Sequence, residues 1–230
     1  MLERRGRPGV TDRTGTGLPG RGVLVVVAVA ALVLGGLGGA LLARQPALTA
    51  ASEASVDAGF ARDMQAHHAQ AVELAVLVRD RSTDEEVRTV ALDILLTQQN
   101  QIGQMAGWLA TWGLPAASSA PVMAWMDGEH GHADGSPTPG AGDDGYAAMP
   151  GWVSRADLAR LTAATGTDAD RLFLELMIPH HEGGVEMAQY AVDHAQRPQV
   201  VALARGIVTA QERELRVLHD MLDARGGPLP

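Results

Sequence analysis

The 230-residue chain contains no cysteine. That excludes disulfide frameworks, zinc ribbons, iron–sulfur sites, thiol nucleophiles and blue-copper thiolates. Lysine is absent as well, so all 18 basic residues are arginine. Aromatic residues are scarce, with 4 Trp, 2 Tyr and 2 Phe, too few for an all-β sandwich or a carbohydrate-stacking surface. β-Branched runs are missing outside the N-terminus while alanine is abundant, which favours helices. Positive charge is also scarce beyond the first 44 residues, which hold six arginines against Glu3 and Asp12. Residues 45–230 carry 12 basic and 25 acidic residues, a net charge of −13. Such a surface repels phosphate backbones, and no nucleic-acid partner is expected.

Residues 23–43 form the one long uncharged apolar run. As a helix, at about 1.5 Å per residue, it spans roughly 30 Å, enough for a bilayer core. Five arginines precede it and one follows, which keeps residues 1–22 as a basic cytoplasmic tail and places the rest outside. A retained transmembrane signal anchor is the preferred reading. A cleaved signal, with Leu48-Thr49-Ala50 as a weak site, is the alternative. Gly35-x-x-x-Gly39 offers a face for a homodimer through this helix, and chance explains it equally well in so glycine-rich a run. The lack of cysteine fits an exported domain.

Beyond a linker at 44–55, an internal repeat organises the chain. Phe60-x-x-x-Met64-x-x-His67-His68 recurs as Phe173-x-x-x-Met177-x-x-His180-His181, at an offset of 113. The same offset aligns Glu73 with Glu186, Asp80 with Asp193, Ile94 with Ile207, Gln98 with Gln211 and Leu109 with Leu222. Each unit reads as a helical hairpin. The first helix is predicted over about 56–80, and Thr83-x-x-Glu86 makes a capping box for a second that ends near Gly113. The third starts near Thr167 and the fourth at Pro198, stopping at Gly226-Gly227. Ser154-x-x-Asp157 caps a short helix in the connection. Repeat 1 (56–112), a crossover (113–166) and repeat 2 (167–225) together make a domain over 56–225. The fold class is all-α: a ferritin-like four-helix bundle from two duplicated hairpins joined by a long crossover, plus the N-terminal transmembrane helix.

On the first helix Met64, His67, His68 and Ala71 share one face, as do Met177, His180, His181 and Gly184 on the third. If a pseudo-twofold axis brings these faces together, two thioethers and up to four imidazoles converge. Thioether with imidazole, lacking thiolate or inward carboxylate, suits copper in either oxidation state. Di-iron chemistry would need Glu-x-x-His, and Glu73 and Glu186 point away from the Met face. The alternative is that the histidines are hydrogen-bonded packing residues and the methionines core filler. Gln98 and Gln211 lie inside apolar stripes, level with His67 and His180. They either orient the imidazoles or bond each other or a water. In the crossover Met123, Met126, His130 and His132 are further donors, which composition alone also explains. Pro179 removes the hydrogen bond to Glu175 within its helix.

The doubled Met–His–His motif, with Met149-Pro150-Gly151 upstream of its second copy, resembles the signature of the domain of unknown function family 305 over roughly 56–225. That resemblance implies a ferritin-like, exported or membrane-anchored protein, with some relatives that are periplasmic copper binders. Carried over by position, it implies metal ligands at Met64, His67, His68, Met177, His180, His181 and Met187. Trp152 departs from the family's pattern, and Leu74 stands at the repeat position of Met187. The modest methionine content implies one or two sites. The expectation is an extracytoplasmic copper-binding protein for tolerance or delivery, with no catalytic residue. A metal-dependent oxidoreductase and a pH-responsive, metal-independent sensory or partner-binding module are the competing classes.

Overall fold

A computed structural model describes residues 51–126 and 145–229. The expected tail, membrane helix with its glycine pair, most of the linker, His130 and His132 lie outside the described residues. Among the described residues there are five α-helices and two short 3-10 turns, no strand, and no helix long and apolar enough to cross a membrane. The helices are α1 (Val56–Arg81), α2 (Glu85–Trp112), α3 (Arg155–Ala163), α4 (Gly166–His194) and α5 (Pro198–Ala224). The turns are Ala124–Met126 and Tyr146–Ala148. Hairpin α1–α2 packs on hairpin α4–α5 along α1 and α4, and α3 touches both of these.

Local chemistry sets the helix ends. The Ser55 hydroxyl accepts from the Ala58 N–H to start α1, and Ser154 does the same for α3 through Asp157. At α2 the cap is Asp84 and not the expected Thr83: its carboxylate accepts from Glu86 N at 2.9 Å and Val87 N at 3.4 Å. An anion there also meets the positive end of the helix dipole. The C-termini of α2 and α5 close identically. Gly113 (φ +69°) donates to Ala110 O while Leu114 N donates to Leu109 O. Gly226 (φ +89°) donates to Asp223 O while Gly227 N donates to Leu222 O. These are Schellman closures, in which glycine takes a left-handed conformation that side chains resist. Gly113 and Gly226 are themselves 113 positions apart.

The hairpins are antiparallel to each other and are tied at both ends. Asp57, buried in the first turn of α1, accepts from the N–H groups of Gln196 (3.2 Å) and Arg197 (2.9 Å), capping α5 from across the bundle. α5 needs this because its own cap residue, Arg197, makes no side-chain cap bond. At the opposite end Arg225, closing α5, bonds Asp84 at 2.6 Å and Glu86 at 3.0 Å. Asp57→Ala should therefore cost about 1–2 kcal/mol by removing a helix cap supplied across the bundle. Chemical denaturation measures it, and a loss below a few tenths of a kcal/mol would deny the cap its role.

The core is two apolar clusters rather than one. Leu74, Val78, Ile94, Phe173, Met177, Leu218 and Met221 fill the end near the α1–α2 turn. Phe60, Met64, Met105, Leu109, Met126, Met187 and Ile207 fill the other. Between them lies a polar layer at mid-bundle, contributed by the middles of α1 and α4.

Candidate metal centre

The polar layer is made of the repeated histidines. Antiparallel packing of α1 on α4 sets His67 against its own repeat counterpart, His180, with ring centroids 3.8 Å apart and planes tilted by 33°. His181 lies 6.4 Å from His180, centroid to centroid. All four imidazoles are fully buried.

Three of the rings are held from outside through Nε2. His67 Nε2 donates to the Pro150 carbonyl at 3.1 Å. His68 Nε2 lies 2.7 Å from Gln101 Oε1, and His181 Nε2 lies 2.7 Å from Glu214 Oε2. Carbonyl and carboxylate oxygens only accept, so the proton sits on Nε2 and leaves Nδ1 a bare lone pair. Nδ1 of His67, His68 and His181 is buried without a partner, and His180 lacks one at both nitrogens. Buried polar atoms left open in this number call for a partner that the protein itself does not supply, a water or an ion.

Burial also keeps His67, His68 and His180 neutral. Desolvation pushes His67 down to about 4 and His68 to about 3, helped by repulsion from neighbouring imidazoles. His180 is likewise held well below the ordinary range, first by desolvation and then by His67 and His181. Neutral imidazole is the form that coordinates metals.

A strap from the crossover covers this layer. Gln70 on α1 exchanges two hydrogen bonds with the backbone of Val153, at 2.8 and 2.9 Å, as a neighbouring strand would. Gly151 (φ +70°) lies so close to α4 that a Cβ would overlap the backbone of Pro179 and His180. A Cβ on Gly183 would overlap the Pro150 carbonyl. The Met-Pro-Gly segment and Gly183 thus serve one contact.

The methionines do not converge as expected. Met64 belongs to one apolar cluster, together with Met187, and Met177 to the other. The reason is geometric: each methionine precedes its histidines by one turn, and on antiparallel helices that direction points to opposite ends. The orienting role weighed for Gln98 and Gln211 is not seen: neither amide bonds an imidazole or the other amide. Gln211 instead packs against Gly184, where a Cβ would overlap its Oε1. The groups that do hold the rings are Gln101 and Glu214, each three residues further along. Their common offset of 113 was the available signal. Met126 is buried beside Met187, and Met123 packs on the same cluster. The turn carrying them is fixed by Asp63, whose carboxylate accepts from Met123 N and Trp125 Nε1, both at 2.8 Å. Glu73 and Glu186 are exposed. Among the described residues no three His, Asp or Glu side chains form a ready-made chelate. The available donors are therefore bare imidazole nitrogens flanked by thioethers.

Solved structures with this architecture are known. A DUF305 protein from Streptomyces coelicolor, taken to be secreted, is 43% identical, with a TM-score of 0.68 over 78% of this chain and 99% of that one. CopM in its Cu(II)-bound form is 26% identical, with a TM-score of 0.51 over 71% of this chain and 93% of its own. Its Cu(I)-bound form aligns at 22% identity with a TM-score of 0.53, a likeness of fold. Among curated proteins, uncharacterized protein L153 of Acanthamoeba polyphaga mimivirus is 32% identical over 56 residues, 24% of this chain. The chain spans 37% of that relative's length. The model of the family described as "Domain of unknown function (DUF305)" matches residues 57–222, and the chain belongs to that family.

Proposed function

We propose that this protein binds copper through the histidine layer, outside the cytoplasm, for tolerance or delivery and without catalysis. The observation that carries the reading is the set of unpartnered nitrogens on four buried imidazoles. Their chemistry fits the ion: imidazole serves Cu(I) and Cu(II), thioether favours Cu(I), no thiolate is present, and the carboxylate at the layer, Glu214, is engaged by His181 Nε2. The Cu(II)-bound form of CopM, at 26% identity, supports the same choice. In this reading residues 23–43 anchor the bundle to the membrane, supported by their length, hydropathy and flanking arginines. The kinship with a family member taken to be secreted agrees. One observation favours a second reading: two imidazoles stacked at 3.8 Å cannot both take a proton without repulsion, as a pH-responsive module would require.

The full chain in detergent, titrated with Cu(I) against a competing chelator, tests the proposal. The double variant His67→Ala/His180→Ala should weaken binding by at least ~100-fold, at or above the upper end of what losing an outer hydrogen-bond partner costs. Wild-type protein that captures no copper from the chelator defeats the copper reading and leaves the pH-responsive one.

A further inference from the structure

We propose that the two halves of the histidine layer hold metal with unequal strength, and that Glu214 makes the α4 half the stronger, as a positioning residue acting through His181. This rests on the copper reading above. Residues 101 and 214 occupy the same place in the repeat, and each accepts a hydrogen bond from the second histidine of its motif at 2.7 Å. The geometry is duplicated but the chemistry is not. Gln101 presents a neutral amide oxygen, Glu214 a carboxylate.

A carboxylate behind an imidazole fixes the tautomer, raises the basicity of the far nitrogen and brings a negative charge within one ring of a bound cation. An amide does the first, does the second more weakly, and brings no charge. The charge reaches His181 without being buried itself: the His181 side chain is fully buried while that of Glu214 keeps 25% of its surface exposed. The first histidines differ in the same sense. His67 is tied to the strap through Pro150, whereas His180 has both nitrogens open. The α4 half therefore has one anion-backed ring, and the α1 half offers two rings on neutral anchors.

Two measurements on the full chain test the idea. In the metal-free protein, nitrogen NMR of the histidine side chains should show His181 as the Nε2–H tautomer, and Glu214→Gln should leave melting behaviour unchanged. Titrated with Cu(I) under chelator competition, Glu214→Gln should lose 10–100-fold on the tightest equivalent. Gln101→Glu should strengthen the weaker one, and the exchange variant Gln101→Glu/Glu214→Gln should restore tight binding, now dependent on His68. Wild-type-like copper affinity in both single variants overturns the inequality while leaving copper binding intact. Loss of all copper binding in the wild type overturns both, and retention of it with a mixed His181 tautomer overturns the role of Glu214 alone.

Discussion

Acidifying the metal-free protein from pH 7 to pH 5 should remove about 4 kcal/mol of stability through two histidines alone. Above pH 6.5 the imidazoles are neutral in both folded and unfolded chains and contribute no pH dependence. Below it the unfolded chain takes up protons that the folded layer refuses, because burial holds His67 down to about 4 and His68 to about 3. The folded pKa values are depressed, so the unfolded state binds more protons and stability falls as pH falls. The window runs from 6.5 down to about 4 for His67 and about 3 for His68. At about 1.4 kcal/mol per pH unit, each ring has forfeited roughly 2 kcal/mol by pH 5. His180 adds to the loss in the same direction. Asp63 and Asp170, whose carboxyls burial raises, act in the opposite sense and offset part of it at the acid end. A total on this scale is a large share of the 5–15 kcal/mol typical of a domain. Chemical denaturation at pH 7, 6 and 5 reads it directly, and His67→Gln should remove roughly a third of the slope. A flat profile would mean that the layer admits protons without loosening. Saturating metal should suppress the effect, since a coordinated nitrogen has no lone pair to protonate.

The parts of this molecule legible in the sequence are those that a residue's own neighbourhood decides. The 3-4 spacing of Val87, Ala91, Ile94 and Leu109, repeated at 113 residues, reports an apolar helix face whatever packs on it. Likewise Gly226-Gly227 marks a helix end because only backbone conformation is at stake. What escaped were partners chosen across the bundle. Capping of α5 by Asp57 crosses 139 and 140 positions to Gln196 and Arg197. The choice of Gln101 over Gln98 depends on where an imidazole edge emerges, which periodicity does not resolve. The separation of Met64 from Met177 was within reach of elementary geometry. Once the hairpins are antiparallel, two residues each one turn ahead of a shared layer must fall on opposite sides of it. A motif written twice invites the assumption that all its members meet, but only those on the pseudo-twofold axis do, and that is the His67–His180 pair.

The strap shows the same logic at its most sensitive point. Replacing Gly183 by alanine adds one methyl group to a helix, where alanine is normally worth about 1 kcal/mol more than glycine. Here the sign should reverse. The new Cβ would meet the Pro150 carbonyl, which is rigid backbone and also the acceptor for His67 Nε2. The strap cannot slide away without cost, because Gly151 is wedged against Pro179 and His180 while Val153 is held by both ends of the Gln70 amide. Overpacking costs typically 1–3 kcal/mol, and a carbonyl pulled off the imidazole leaves a buried N–H unpaired for a further 1–3. A net loss of about 3 kcal/mol, after the helix gain, translates to a melting temperature lower by roughly 6–12 °C for a chain of this size. Gly151→Ala should fall similarly, since it combines the overlap with a left-handed φ. Alanine at Gly103 or Gly107, where a Cβ meets nothing, is the control and should be neutral or stabilising. If Gly183→Ala melts with those controls, the strap is loosely laid and His67 takes its tautomer from something else. If it melts early and hydrogen exchange rises across 149–153 and the middle of α4 together, the strap and the histidine layer are one mechanical unit, and entry of an ion to the layer requires the strap to lift.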